Sequence, residues 1–364
     1  MTDGVARVVR VVMVATVVLA ATLAVHGVWH PPERRASVST NAQWTAVAAA
    51  SAPGRVRGVV VWPGNGQITI SWTAPSNPGS PVAADFGVLM YDGQTLVSAI
   101  DATSSPVVVK GLTNSQVRGY RVVASNSVGP GPESEPLAKV APAATPFAPF
   151  GSWSAWVTEL APDLLGRPAT ASESSTWTKA LTAGTLTPPA FVAQLRRSTD
   201  NLTNVDPVAR LYRAYFLRTP DPGGLRHWIA KRRSGTSLNT ISQSFARSGE
   251  FVRRYGSLGN DAFVQLIYQN LFGRSGDPAG VAYWTKQLDL GKKSRGQVMA
   301  GFSESSEYVR KQVANVEVSA QCVLLLDRAP TPLEVLDAVD PDVTPESLAA
   351  RLLRGSEFTS TVTG

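Results

Sequence analysis

Acidic residues in glycine-containing loops are the first candidates for chemistry in this sequence. Asp221 and Asp277 each begin an Asp-Pro-x-Gly segment, and carboxylates in such loops are typical calcium ligands. In the register described below, however, these two aspartates align with Thr170 and Thr331. Threonine and aspartate share the ability to cap a helix N-terminus but not the ability to hold calcium. We therefore predict helix caps here, and we expect neither a metal site nor a cofactor.

Several neighbouring residues support this interpretation. Glu173 and Glu334 follow the two threonines by three residues, which is the spacing of a capping box. Prolines follow three of the caps at the first helical position, where a missing amide proton costs nothing; they are Pro222, Pro278 and Pro332. Glycines then predict the helix ends; they are Gly184, Gly235 and Gly291. Acidic residues recur later and predict the first turn of a closing helix; they are Asp200, Glu250, Glu307 and Glu357.

Nucleophilic catalysis finds little support in the residue types. The chain has three histidines and one cysteine, Cys322. His26 and His30 lie in or beside a hydrophobic N-terminal segment, which leaves His227 alone. No nucleophile elbow, zinc-binding helix or phosphate-binding loop is present in the sequence. We therefore expect no enzyme. The alternative is a secreted carbohydrate-active enzyme of the glycosidase type, since such enzymes need only two carboxylates, or the accessory module of one.

One short cationic stretch is the candidate binding patch. It comprises Arg226, Lys231, Arg232 and Arg233. Arg232 occupies a position that is leucine in two sibling segments, and burying its charge unpaired would be costly. It pairs with an acidic neighbour, bends outward from the last helical turn, or marks a face exposed for a partner.

Charge is distributed unevenly around this patch. The net charge of the whole chain is +7, with +7 in residues 206–259 and −5 in residues 316–364. Such a distribution favours binding to an anionic cell-wall polymer, a polysaccharide or a surface protein, and also head-to-tail self-association. The alternative is a merely solvated surface. We expect no nucleic-acid partner, and we expect membrane contact only through the N-terminal segment.

The helices that must position these residues recur along the C-terminal half of the chain. Four arginines follow one another at spacings of 51, 56 and 54 residues; they are Arg167, Arg218, Arg274 and Arg328. We therefore predict four helical units over about 153–204, 205–259, 260–315 and 316–364, called units 1 to 4 below. Trp177, Trp228 and Trp284 recur at helical spacing and are interpreted as core residues, with sugar stacking as the alternative.

An all-β region precedes the helical units. Residues 53–141 contain short runs of β-branched and aromatic residues separated by Gly, Pro, Asn and Asp, which predicts an antiparallel sandwich. Flexible linkers are predicted at residues 31–52 and, rich in proline, at 142–152. The fold class is thus multidomain: an export segment, an all-β immunoglobulin-like sandwich, and an all-α repeat domain.

The N-terminus carries an export signal. Arg7 and Arg10 precede an uninterrupted apolar run over residues 11–25, which is the order found in signal peptides. The apolar stretch is close to the length of a membrane-spanning helix, so residues 1–30 are either a cleaved signal peptide or a retained signal anchor. An extracellular or cell-surface location follows from both.

Two resemblances add to this interpretation. The run from Ile68 to Trp72, the Asp92-Gly93 turn and the stretch from Tyr120 to Gly129 resemble a fibronectin type III domain, which implies Trp72 in its core. Arg118 stands where that family usually has a corner tyrosine.

The second resemblance concerns the helical units. The pattern Leu-Gly-Arg, Asp-Pro, Tyr-Trp with a later Phe-x-x-Ser-x-Glu resembles domain-of-unknown-function family 4214, a helical bacterial module similar to phycobilisome linker domains; units 2 and 3 match well, and units 1 and 4 in part. These resemblances imply an exported binding or scaffold protein in which the sandwich is a spacer. The function predicted is therefore to present a helical array to a wall polymer, surface glycan or protein.

Overall fold

A computed structural model describes residues 49–363 of the chain. These residues form two compact units that divide between Ala144 and Thr145. The predicted export segment lies outside the described residues. Within residues 49–363, no helix combines the length and the apolar character that crossing a membrane requires.

The first compact unit is a two-layered antiparallel sandwich. Its strands are β1 (Arg57–Gly64), β2 (Gln67–Thr73), β3 (Asp85–Asp92), β4 (Thr95–Ala102), β5 (Val107–Lys110), β6 (Arg118–Asn126), β7 (Gly129–Pro130) and β8 (Ala138–Val140). One sheet has the order β1-β2-β5, and the other has the order β4-β3-β6-β7, with β8 also paired to β6. The predicted immunoglobulin-like sandwich is confirmed.

Alternation of side chains along the strands places the core between the two sheets. Trp72 is 8% exposed and packs against Phe86 with ring centroids 5.3 Å apart, as predicted. Gly93 and Gln94 form the β3–β4 turn between the paired residues Asp92 and Thr95, one residue later than predicted, and Gly93 has a φ of +60°. Arg118 begins β6 and pairs with Asp92 at 2.8 Å, so this position joins strand ends through an ion pair.

The second compact unit is all-helical. Its helices are α1 (Trp153–Leu165), α2 (Ala171–Ala183), α3 (Pro188–Arg196), α4 (Asp206–Phe216), α5 (Pro222–Arg233), α6 (Leu238–Ala246), α7 (Gly249–Tyr255), α8 (Asn260–Phe272), α9 (Pro278–Asp289), α10 (Arg295–Ser303), α11 (Ser306–Leu326), α12 (Pro332–Ala338), α13 (Pro345–Arg354) and α14 (Ser356–Thr363). A π-helical turn, Asn201–Val205, leads directly into α4. The predicted all-α domain is confirmed.

The predicted caps are confirmed at the second helix of each of the four units. Thr170 and Thr331 form capping boxes with Glu173 and Glu334. Asp221 and Asp277 accept hydrogen bonds from the amides of glycines three residues later. The glycines predicted to end α2, α5 and α9 all have positive φ, which a residue with a side chain adopts at a cost. Local sequence signals therefore set where these helices begin and end.

The three tryptophans pack as ring pairs against the third helix of their own unit. Trp177 is buried beside Phe191, with ring centroids 5.2 Å apart. Trp228 and Trp284 are only half-buried, and they contact Phe245 at 5.2 Å and Phe302 at 5.6 Å. The core interpretation therefore holds fully for Trp177 and on one ring face for the other two.

Helix packing brings the first and last units together. α6 of unit 2 packs against α10 of unit 3, and α3 of unit 1 packs against α13 of unit 4. The continuous 21-residue helix α11 spans the predicted boundary between units 3 and 4. Unit 4 therefore contacts unit 1 as well as unit 3.

Candidate functional site

In each helical unit a recurring arginine links the first helix to the helices that follow it. This arginine and its side-chain contacts are called the joint of the unit. The four arginines follow the first helix of a unit by two residues, and each donates from Nη1 to the carbonyl of the next residue. Three of them also pair with the first-turn acid of the closing helix; the pairs are Arg218–Glu250, Arg274–Glu307 and Arg328–Glu357. The first-turn position of these acids was predicted, whereas their arginine partners were not.

In units 2 and 3 the joint is built on a tyrosine. The guanidinium of Arg274 lies 5.6 Å from the centroid of the Tyr268 ring, and the Tyr268 hydroxyl donates to the Asp277 cap at 3.3 Å. Gly280 leaves room for this contact, because a Cβ there would lie 2.5 Å from the tyrosine oxygen. Unit 2 repeats the arrangement with Arg218, Tyr212, Asp221 and Gly224. The glycine of the motif therefore serves a close approach between side chains.

In units 1 and 4 a glutamate replaces the tyrosine in this joint. Six residues before the arginine, where units 2 and 3 have tyrosine, stand Ala161 and Cys322. Glu334 occupies the position of the motif glycine and accepts two hydrogen bonds of 2.7 Å from Arg328. Arg167 and Glu173 make the corresponding pair at 2.7 Å in unit 1. A charge pair thus takes the place of an aromatic stack.

The joints perturb the acidity of their members. The hydrogen bonds from Arg328 lower the pKa of Glu334 to about 2, and the same effect of Arg167 lowers the pKa of Glu173 to about 2. Burial, followed by the hydrogen bond to Asp221, raises the pKa of Tyr212 to about 12. All of these shifts favour the protonation states that hold the joint together at neutral pH.

Two residues of the predicted binding patch lie in contacts inside the helical domain. Arg226 donates to Asp327 at 2.6 Å and to the Val323 carbonyl at 2.7 Å. Arg233 donates to Asp200 at 3.0 and 2.7 Å, and its guanidinium lies directly over Gly166. These two arginines therefore join unit 2 to its neighbours.

The other two patch residues differ from each other. Arg232 is half-buried and donates from Nη1 to the Thr236 carbonyl at 3.1 Å, while its Nε is buried without a hydrogen-bond partner. No acidic residue pairs with Arg232 in the described part of the chain, so of the three options above the first is not realised. Lys231 is exposed.

Unit 2 also presents cations that no acidic residue neutralises. In the described residues, Lys231, Arg247 and Arg253 are exposed and make neither a hydrogen bond nor an ion pair through their side chains. Of these three residues, only Lys231 belongs to the predicted binding patch. The repeat alignment contained the signal for the others, because these cations do not recur at matching positions in every unit.

A buried charge cluster was missed entirely. Arg196, 2% exposed, pairs with Asp206 at 2.6 Å and with Glu317 at 3.2 Å, and it also donates to Asn201. The Asn201 amide in turn donates to the Leu195 carbonyl at 3.0 Å. These residues come from units 1, 2 and 4, so the cluster ties three units together.

Unit 4 differs from units 1 to 3 by the absence of the recurring tryptophan. The position ten residues after the recurring arginine is tryptophan in units 1 to 3 and Ala338 in unit 4. A cavity of about 160 Å³ lies beside Arg328, lined by the leucines Leu348 and Leu352 of α13 and by Arg328 and Glu334 at its charged edge. The two leucines occupy third-helix positions that hold the ring partner of tryptophan in the other units.

The outer face of α12 is also unusual. Leu333, Leu336 and Val339 are 65%, 66% and 55% exposed. The positions of the two leucines hold serine, glycine, alanine or arginine in units 1 to 3. Single exposed apolar residues are ordinary, but a run of them along one helix indicates a contact surface.

Groups suited to catalysis or metal binding are sparse in the described residues. His227 is exposed and its ring lies against Trp228, with centroids 4.9 Å apart. Cys322 is buried, and this burial raises the pKa of its thiol to about 12. Within residues 49–363 no group of three or more His, Cys, Asp or Glu residues is arranged to hold a metal ion.

Comparison with solved structures gives similarities at low identity. A twitchin kinase region from C. elegans is 19% identical, with 25% of this chain and 17% of that chain covered and a TM-score of 0.24. The FN5 domain of Drosophila Lar is 21% identical, with 25% and 97% covered and a TM-score of 0.21. The extracellular domains d3–d4 of rat CD45 are 14% identical, with 34% and 84% covered and a TM-score of 0.24. The chain thus spans less than a fifth of the twitchin structure.

Comparison with protein families identifies one segment. No curated protein matches the chain. Residues 242–312 match the model of a domain of unknown function, DUF4214. This segment begins within α6 and ends within α11, so it covers unit 3 and the adjoining part of unit 2. The chain therefore combines an antiparallel β-sandwich with a helical domain in which residues 242–312 match DUF4214.

Proposed function

We propose that this chain is an exported or cell-envelope scaffold protein that binds an anionic wall polymer, a surface glycan or a surface protein through its helical domain. In this proposal the sandwich is a spacer, the chain is not an enzyme, and the likeness to phycobilisome linkers extends over all four units. The observation that carries it is the set of free cations in unit 2. The recurring arginines and acidic residues pair with one another in the joints, whereas Lys231, Arg247 and Arg253 have no partner among the described residues.

Electrostatics explain why such a set would bind a polyanion. Exposed cations attract a polymer of repeated negative charge, and the attraction weakens as salt shortens the screening length. Arg226 and Arg233, by contrast, already neutralise aspartates inside the domain. Replacing these two would disturb folding and would not report on binding.

The test measures co-sedimentation of the full chain with bacterial cell walls and its affinity for alginate, a soluble polyanion, with neutral dextran for comparison. The triple variant Lys231→Ala/Arg247→Ala/Arg253→Ala is expected to lose about tenfold in alginate affinity and to show a flatter salt dependence.

A matched control removes the same charge elsewhere. Lys110, Lys139 and Lys179 are exposed and lie in the sandwich and in unit 1. Their triple alanine variant is expected to bind within about twofold of the wild type. Equal losses in both triple variants would contradict the surface in unit 2. Release of reducing ends during incubation would instead support the glycosidase alternative, which no observation at present favours.

A further inference from the structure

We infer that α12 of one copy docks onto the α9 face of a second copy, so that the protein associates with itself through two different surfaces. This inference is independent of polymer binding and concerns units 3 and 4. It starts from the two exposed apolar stripes of the helical domain that also carry charge of opposite sign.

The first surface, called the α12 face, is defined by Leu333, Leu336, Val339, Asp337 and Asp340. Its three apolar residues are each more than half exposed. Asp340 is exposed beside them, and the Asp337 side chain, which pairs with Arg351 at 3.3 Å, is 44% exposed. Leu333 and Leu336 lie one turn apart on the same side of α12. This surface is therefore apolar with an acidic border.

The second surface, called the α9 face, is defined by Tyr283, Lys286, Leu290, Lys292 and Lys293. Tyr283 and Leu290 are 53% and 56% exposed, and they are seven residues apart, so they share one side of the helix with Lys286 between them. The three lysines are exposed and make no hydrogen bond or ion pair with their side chains inside the described residues. This surface is therefore apolar with a basic border.

The two faces complement each other in both properties. Apolar residues on each would leave water, while the aspartates of one face meet the lysines of the other. Like-with-like docking is disfavoured, because two acidic borders or two basic borders would repel. A contact between different surfaces of identical chains is heterologous, and it grows into a chain of copies unless it closes into a ring.

The size of the faces sets the expected strength. Three apolar residues on the α12 face and two on the α9 face make a small interface of the transient class. We therefore expect association in the range of about 10 µM to 1 mM, with each pair of apolar anchors worth about tenfold or more in Kd.

The experiment uses two variants of the full chain, each with one face removed. Leu333→Ser/Leu336→Ser removes the α12 face, and Tyr283→Ser/Leu290→Ser removes the α9 face. All four side chains are exposed, so the helices are expected to remain folded, which circular dichroism checks. Sedimentation velocity is recorded for the wild type, for each variant and for their mixture, with the two variants labelled at the N-terminus in different colours.

Wild type is expected to form species that grow with concentration, while each variant alone loses at least about tenfold in self-association. The mixture is expected to form a one-to-one heterodimer and nothing larger, because only one complementary pair of faces remains. A wild type that stays monomeric up to 1 mM overturns the inference. So does a mixture without heterodimer, or association that only one of the two variants weakens. Alginate affinity that survives in both variants separates this result from the proposed function.

Charge reversal provides a second readout. Lys286→Glu and Asp340→Lys are each expected to weaken association about tenfold, and mixing them is expected to restore it in part. Failure of the mixture to recover, with both variants folded, would show that the lysine and aspartate borders do not meet.

Discussion

The inner units, 2 and 3, and the outer units, 1 and 4, hold the recurring arginine in place with different residues. Units 2 and 3 hold the recurring arginine over a tyrosine ring, and a glycine leaves space for the hydroxyl. Units 1 and 4 have no tyrosine, and a glutamate in the glycine position pairs with the arginine instead. In both pairs the residue three positions after the arginine caps the second helix. The backbone of a unit therefore accommodates two alternative sets of side chains around the recurring arginine.

The largest effect is expected when the glutamate of the outer units replaces the motif glycine of an inner unit. Gly224→Glu places a side chain against the Tyr212 hydroxyl and the Asp221 carboxylate, and we expect it to lower the free energy of unfolding by about 2 to 3 kcal/mol. Combining it with Tyr212→Ala should cost less than the sum of the two, by about 1 to 3 kcal/mol. Urea unfolding followed by circular dichroism at 222 nm measures both values.

The neighbouring glycine is a matched control. A Cβ at Gly223 would meet no atom within 4 Å, and glutamate is favourable in the first turn of a helix. We therefore expect Gly223→Glu to change stability by less than about 0.5 kcal/mol. Additive effects of Gly224→Glu and Tyr212→Ala would show that the two positions do not exclude each other.

The next effect compares the arginines themselves. The Arg328 side chain is 26% exposed and serves two glutamates, while the Arg274 side chain is 47% exposed and serves one. We expect Arg328→Ala to cost about 2 kcal/mol and Arg274→Ala about 1 kcal/mol or less. Thermal unfolding of the two variants at equal protein concentration tests the ranking, and the reverse order would mean that the aromatic stack is the stronger joint.

Exchange of the helix caps should matter less. Asp277→Ala and Thr331→Ala are each expected to cost about 1 kcal/mol. Asp277→Thr should cost less than Asp277→Ala, because threonine still accepts the hydrogen bond of the Gly280 amide. Hydrogen exchange of the amides in the first turns of α9 and α12 reports the loss locally. If Asp277→Thr were as damaging as alanine, the aspartate would have a role beyond capping.

The smallest effect is a dependence on pH that belongs to the outer units. The pKa of Glu334 is lowered to about 2, below its ordinary value of 4.5. A depressed carboxyl pKa stabilises the folded state above pH 4.5, and this contribution is lost as pH falls toward 2. Glu334→Gln should therefore be less stable than the wild type at pH 6 and nearly equal to it at pH 2. Unfolding curves of the wild type and of Glu334→Gln at both pH values test this expectation.

Many of the helix boundaries could be predicted because the sequence signals that set them are local. Caps such as Thr170 and stop glycines such as Gly184 act within a few residues, so their spacing in the sequence suffices. Pairs such as Arg218–Glu250, 32 residues apart, depend on how the third helix returns, and no local pattern contains that information. The exchange of Tyr268 and Gly280 for Cys322 and Glu334 was visible in the aligned units, although each position alone looked unremarkable.

Other features follow from tertiary packing. The continuity of α11 across the predicted boundary between units 3 and 4 requires that no glycine or proline interrupt residues 306–326, and the sequence contains none there. The buried cluster around Arg196 could not be predicted, because Glu317 stands 121 residues away. The assignment of Arg226 and Arg233 to a binding patch overlooked aspartates that only the folded chain brings near.

Contact between the first and last units changes how the helical domain should unfold. In an open stack of repeats each module interacts only with its neighbours, and segments can melt one after another. Here α3 is held against α13, and Arg196 connects both ends of the domain to α4. Loss of the last module would expose a buried charge in the first. The domain is therefore expected to melt as a single cooperative body, and a shortened version lacking unit 4 should be the one that proteases degrade.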